Sequence, residues 1–329
     1  MTENREQRKR LLAVSMRPRR RGGAALLVVV IACALATCAS TLLAQVRATY
    51  LHTLANFSGP LRYDWAHVRV DQEGEEVYLV YQNLVRIFNQ SGMEVFSFGD
   101  DLDLGHILDV AADNQGDIIL LSYKDSRSIV TRCNYRGEPV GSIEIKNLPA
   151  GLTFHANRMV YRNGLYYFAS LSASSVIVTD RSGEFREHID FVSLLDDADR
   201  KKGGGETVGF TVDHEGNVLF TIPTLFKVFK YSPDGKLTGF GRPGSAAGRF
   251  GILAGIATDS RGNLLVAEKL KCVVMVFDKG FNFLSEFGYR GSKPENLILP
   301  DDLVVDRMDR LYVSHARRRG VSVFSLAGD

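Results

Sequence analysis

One passage recurs six times along this 329-residue chain, most legibly as GIATDSRGNLLVA at 255–267, VVMVFDKG at 273–280 and FLSEFG at 283–288. The glycines that end the second turn of each unit, Gly92, Gly137, Gly183, Gly235, Gly280 and Gly328, are spaced by 45, 46, 52, 45 and 48 residues. A first turn precedes each of them, at 71–74, 113–116, 161–164, 213–216, 259–262 and 306–309. Turns rich in Asp, Asn and Gly supply the backbone conformations that tight hairpins need. Between them lie short runs of β-branched and aromatic residues such as VYLVY at 77–81 and IILLS at 118–122, which read as strands. Four strands per unit and six units predict an all-β fold, a six-bladed β-propeller of four-stranded blades.

The sixth unit stops short, because only Asp329 follows Gly328. Its outer strand is expected from the other end of the chain, where residues 49–57 repeat the pattern of 283–287 and 93–98, so that 49–57 pairs with 321–326 and leaves no open sheet edge. The domain plan is therefore a basic tail at 1–21, an apolar segment at 22–46 and a propeller over 47–329.

The tail holds eight bases against two acids, which leaves 32 bases and 36 acids for the rest of the chain. The propeller thus lacks the basic footprint of a nucleic-acid binder. Residues 22–46 form an uncharged run of 25 residues behind Arg17, Arg19, Arg20 and Arg21. This predicts one N-terminal transmembrane helix, an uncleaved single-pass anchor in the cytoplasmic (inner) membrane with the propeller on the periplasmic side. Cleavage near Ala36 or Ala44, lipidation at Cys33 and a start at Met16 are the alternatives. The short link to residue 49 would place the turn face toward the membrane and the interblade loops away from it. Cys133 and Cys272 fall in the second and fifth units, opposite each other in a closed ring and beyond disulfide reach, and are expected as buried strand residues.

The repeat resembles the NHL-repeat family of propellers over roughly 49–329, most closely in 205–328, in its Asp-x-x-Gly turn, Val-x-Val-Phe strand and Phe-Gly exit. The family's Asp-x-x-Asn-His-Arg run is replaced here by residues 268–272 and 314–318. The resemblance implies an interaction platform, in some bacterial relatives beside membrane respiratory or cytochrome complexes. It also admits lyases that hold a metal by histidines at the central cavity.

Loops on a rigid scaffold are where binding usually resides. The interblade-loop face is expected to carry Tyr81, Tyr123, Lys124, Arg127, Glu268, Lys271, His315, Arg317, Arg318, Asp301 and Asp302, a mixed aromatic and charged set suited to a protein partner of unspecified identity. No cofactor motif is present. Three histidines near the starts of inner strands, His67, His106 and His155, are natural metal candidates, but strand alternation lets only His67 and His155 share a direction, short of a zinc set. Residues 196–206, with Asp196, Asp197 and Asp199, read as a charged flexible loop and not a calcium site. Trp65 is expected between the first and last blades. The function expected is a membrane-tethered, non-catalytic binding propeller, with a metal-dependent lyase or hydrolase, or a peptide or carbohydrate sensor, as alternatives.

Overall fold

The turn aspartates show why each repeat folds as it does. Asp113 Oδ1 accepts from the backbone N–H of Gln115 at 2.8 Å and of Asp117 at 3.2 Å. Asp213, Asp259 and Asp306 make the same pair of bonds two and four residues on. One carboxylate thereby satisfies two N–H groups that the turn would leave without partners. Gly116, Gly164, Gly216 and Gly262 then take positive φ; in the sixth unit Asp309 does so at 55°.

A computed structural model of the chain describes residues 46–71, 76–100, 102–202 and 205–328. Six antiparallel four-stranded sheets form six blades, whose first strands are His67–Val70, His106–Ala112, Arg158–Arg162, Phe210–Val212, Leu253–Thr258 and Leu303–Val305. Each of these first strands neighbours those of the adjacent blades, around to contact between blades 6 and 1, so together they line a central channel. Apolar side chains fill the six wedges between blades, one cluster per wedge. Between blades 3 and 4, for example, Phe191 stacks on Phe220 with centroids 3.7 Å apart.

The ring closes as an antiparallel pair of Val46–Thr53 with Val321–Gly328, with Val46 opposite Gly328 and Tyr50 opposite Phe324. The sequence had suggested 49–57 against 321–326. Pairing instead begins at Val46, the last residue of the apolar run, and stops at Thr53, because Ala55–Asn56 turns away into a small hairpin with Gly59–Pro60. Gly328 is correspondingly no turn but the end of a continuous strand. Val46 is buried in the wedge between blades 5 and 6, and Ser285 Oγ donates to its carbonyl at 2.9 Å. Among the described residues no helix is long and apolar enough to cross a membrane; the rest of the predicted anchor, 22–45, lies outside them.

Two other expectations change. Residues 196–202 are not simply loop: after the helix Phe191–Leu194, the helix Asp197–Lys201 is capped by Asp196, whose side chain accepts from Asp199 N. The buried Asp199 in turn pairs with Lys227 of blade 4. Cys272 is buried and free, as is Cys133, but it sits in a tight turn with φ 59° and not in a strand.

Deleting residues 46–53 exposes the edge of blade 6 and opens the wedge beside blade 5. The expected result is loss of cooperative thermal unfolding, followed by circular dichroism; a truncated chain that melts as sharply as its parent would refute the closure.

Candidate functional site

Inner-strand side chains four residues before the first-turn aspartate fall near the channel axis. In blades 2 and 6 that position holds Asp109 and Asp302; in blades 4 and 5 it holds Gly209 and Gly255. The two aspartates reach into the next blade, where Asp302 Oδ2 accepts from Val68 N at 3.1 Å and Asp109 Oδ2 from Met159 N at 2.9 Å. The two glycines let backbones close up instead: a Cβ on Gly255 would stand 2.4 Å from the Asp301 carbonyl oxygen, and one on Gly209 would stand 2.3 Å from that of Ala254.

Between the two aspartates lies Arg69, with Nη1 2.9 Å from Asp302 and Nη2 2.7 Å from Asp109. This chain of three charges ties blade 6 to blade 1 and blade 1 to blade 2. Burial would push Asp302 up, but Arg69, with His67 and Arg158 beyond it, outweighs burial and holds the carboxyl well below the usual range. Burial likewise opposes the charge on Arg69, and Asp109 and Asp302 overcome it. The His67 ring approaches Asp302 at 3.7 Å, too far for a hydrogen bond. Arg158 donates to the Asn157 carbonyl, and burial lowers its pKa.

The residues predicted on the interblade face divide into three groups. Tyr123, Arg127, Arg317 and Arg318 are exposed there. Tyr81 stacks on Tyr63 at 4.2 Å, Lys124 donates to the Asp103 carbonyl, and Lys271 lies 3.5 Å from Glu286. Asp301 pairs with Lys269 at 2.5 Å and Asp302 belongs to the channel network.

Glu268 and His315 do not reach the surface at all. Glu268 accepts from the backbone N–H groups of Gly251, Ile252 and Lys271, pinning an interblade loop to the strand beneath it. His315 Nδ1 accepts from Ile298 N at 3.3 Å while Nε2 meets Ser322 Oγ at 3.0 Å. In both cases the interblade segment folds over the position and buries it. The three histidines do not converge: His106 and His155 are exposed, and no grouping of three or more potential metal-binding side chains occurs among the described residues.

Trp65 is not packed between blades. It is 49% exposed, has φ 53°, and the Lys269 ammonium stands 5.9 Å from its ring centroid. Its neighbours are clamped. Arg318 N donates to Asp64 Oδ1 at 2.5 Å, and Gly320 N donates to the Tyr63 carbonyl at 3.2 Å. The Arg319 guanidinium donates to the carbonyls of Ser292, Lys293 and Asn296. The segment leading into blade 1, the loop of blade 6 and the connection between blades 5 and 6 thus form one fixed surface bearing Trp65, Arg317 and Arg318. Arg69, Asp109 and Arg158 were missed in the sequence, although measuring back from each turn would have singled out Asp109 and Asp302 against the glycines of other blades.

No family model matches the chain, and no curated protein matches it in sequence. Solved structures do match in fold. A protein of unknown function from Bacteroides thetaiotaomicron superposes with a TM-score of 0.62 at 13% identity, over 86% of this chain and 77% of that one. A putative gluconolactonase superposes with a TM-score of 0.56 at 14% identity, over 87% and 93% of the two chains. A streptogramin B lyase does so at 0.53 and 13%, over 86% and 97%. At such identities the likeness is one of fold, the six-bladed propeller.

Two measurements probe the interior groups. Replacing Arg69 by Leu leaves Asp109 and Asp302 without their shared counter-charge and is expected to cost about 3–5 kcal/mol in urea unfolding; a loss near zero would show the network to be dispensable. Burial, aided by Arg319, pushes His315 down to about 4. Its unfolded-state value is higher, so stability is present above about pH 6.5 and falls as the pH drops toward 4. Going from about pH 7 to about pH 5 is expected to cost about 2 kcal/mol through this group, a loss that His315→Asn should remove.

Proposed function

We propose that this chain is a binding propeller, held at the extracytoplasmic side of a membrane by residues 22–45, that engages a protein partner through its interblade-loop face without catalysis. The observation that carries this reading is the fixed surface around Trp65, Arg317 and Arg318. Exposed Trp and Arg side chains dominate binding energy at protein interfaces. Here all three stand on backbone in the left-handed region, with φ of 53°, 59° and 58°. Holding such residues in place before binding lowers the entropy lost on association. Tyr123 and Arg127, also exposed, extend the same face. Toward the axis, the charged groups of this end are engaged with one another or with backbone, as Arg69, Asp302, Lys269, Asp301 and Glu268 illustrate.

A second reading, a lyase or hydrolase acting at the channel, draws on one observation, the His67 imidazole 3.7 Å from the Asp302 carboxylate. In that case a carboxylate would orient an imidazole for proton transfer. Metal bound on purification and lost with His67→Ala would favour this reading and its metal-dependent form.

The decisive experiment is extraction of the tagged chain from its native membrane in mild detergent, followed by identification of stoichiometric companions. A protein that co-purifies with the parent and is lost from Trp65→Ala and from Arg317→Ser/Arg318→Ser, with melting temperature unchanged, is the expected result. Retention of that protein by both variants, or its absence from the parent, would set the reading aside.

A further inference from the structure

The other end of the channel holds a cavity of about 490 Å³, lined by the ends of first strands and by the first turns of blades 2 and 3, with Arg69 among its lining residues. That size is in the range of small-molecule sites, about 300–1,000 Å³. It lies on the opposite face from Trp65 and is separate from the interblade surface.

The charges around this cavity are unevenly matched. Asp113 at the mouth is bonded to two turn N–H groups and to Arg181 at 2.7 Å. Arg69 is held by its two aspartates. The side chain of Arg162, at the end of the first strand of blade 3, has neither a hydrogen bond nor an ion pair among the described residues, and its Nε is buried without a partner. Asp213 is the carboxylate whose field reaches it, and burial nevertheless leaves the guanidinium pKa lowered. Asp213 is itself occupied by Asn217 Nδ2 at 2.7 Å and by two turn N–H groups. Asn114 Oδ1 takes the Tyr161 hydroxyl at 2.8 Å, leaving its amide hydrogens as further donors at the rim. Apolar side chains complete the lining, with Val160 two residues before Arg162 on the same strand, Phe210 on the neighbouring blade 4 and Val304 across the ring on blade 6.

A half-buried guanidinium with no ion-pair partner gives up hydration without a return, and its fork geometry suits a carboxylate held by two hydrogen bonds. We propose that the turn-face cavity is a binding site for a small organic carboxylate, its head group on Arg162 and its apolar body against Phe210 and Val304. The ligand supplies the ion-pair partner that Arg162 lacks, and the apolar side chains beside Arg162 select acids with a hydrocarbon or aromatic tail over inorganic anions.

The test is titration of the full chain, monitored by calorimetry, with benzoate, 4-phenylbutyrate and octanoate, each against its primary amide. At least one acid is expected to bind about tenfold or more tighter than its amide, a difference of about 1.4 kcal/mol. Arg162→Gln should erase that preference while melting no lower than the parent when unliganded, since it removes a half-buried charge that has no ion-pair partner. Val304→Trp, which fills the cavity and leaves Arg162 in place, should abolish binding of acid and amide alike. No binding of any of the three acids up to about 10 mM, equal binding of acid and amide, or a preference that survives Arg162→Gln would each overturn the proposal.

Discussion

Everything in this molecule depends on how the ring is closed where the first and last strands of the propeller meet in blade 6. A ring of sheets leaves one junction without covalent continuity, and an unsealed junction would expose a strand edge and an apolar wedge. Two interactions at different radii meet that need. At the rim, Val46–Thr53 completes blade 6 and places Val46 in the wedge with blade 5. At the axis, Asp302 of blade 6 accepts from Val68 N and from Arg69 of blade 1. The outer contact is a strand pairing and the inner one is electrostatic, so the two respond differently to salt and pH.

The axial contacts also divide the ring into unlike halves. From blade 6 through blades 1 and 2 to blade 3, neighbours are joined by aspartate side chains; from blade 4 through blade 5 to blade 6 they are joined by close backbone approach at Gly209 and Gly255. Side chains need room and backbones do not. A repeat that looks sixfold in sequence therefore surrounds a channel that is polar on one side and tight on the other, and the cavity draws its wall from blades 1, 2, 3, 4 and 6.

The fold was legible because a local code repeats: the turn aspartates and the glycines at positive φ act within five residues of one another, and six copies make the pattern unmistakable. The departures are also local in cause. Blade 5 places its positive φ on Phe281 rather than Gly280, and Gly328 ends a strand because its partner arrives from residue 46. The site was legible only in part. Tyr123, Arg127, Arg317 and Arg318 stand where loop position puts them, whereas Glu268 and His315 occupy the same loops in sequence and are buried by a neighbouring connection. Arg69 meets residues 40 and 233 positions away, a conjunction that no periodicity encodes. Trp65 is exposed because its backbone conformation turns it out of the wedge.

The closing strand has a consequence for biogenesis. Val46 and its partner Gly328 stand at opposite ends of the propeller's sequence, so during translation the first strand waits unpaired until the last strand of the ring has been made. Contacts so distant along the chain form late in folding. Until residues 321–328 emerge the nascent chain carries an unpaired β edge, and a product lacking that strand cannot cover it. The integrity of residues 321–328 is therefore a condition for the whole ring and not for blade 6 alone.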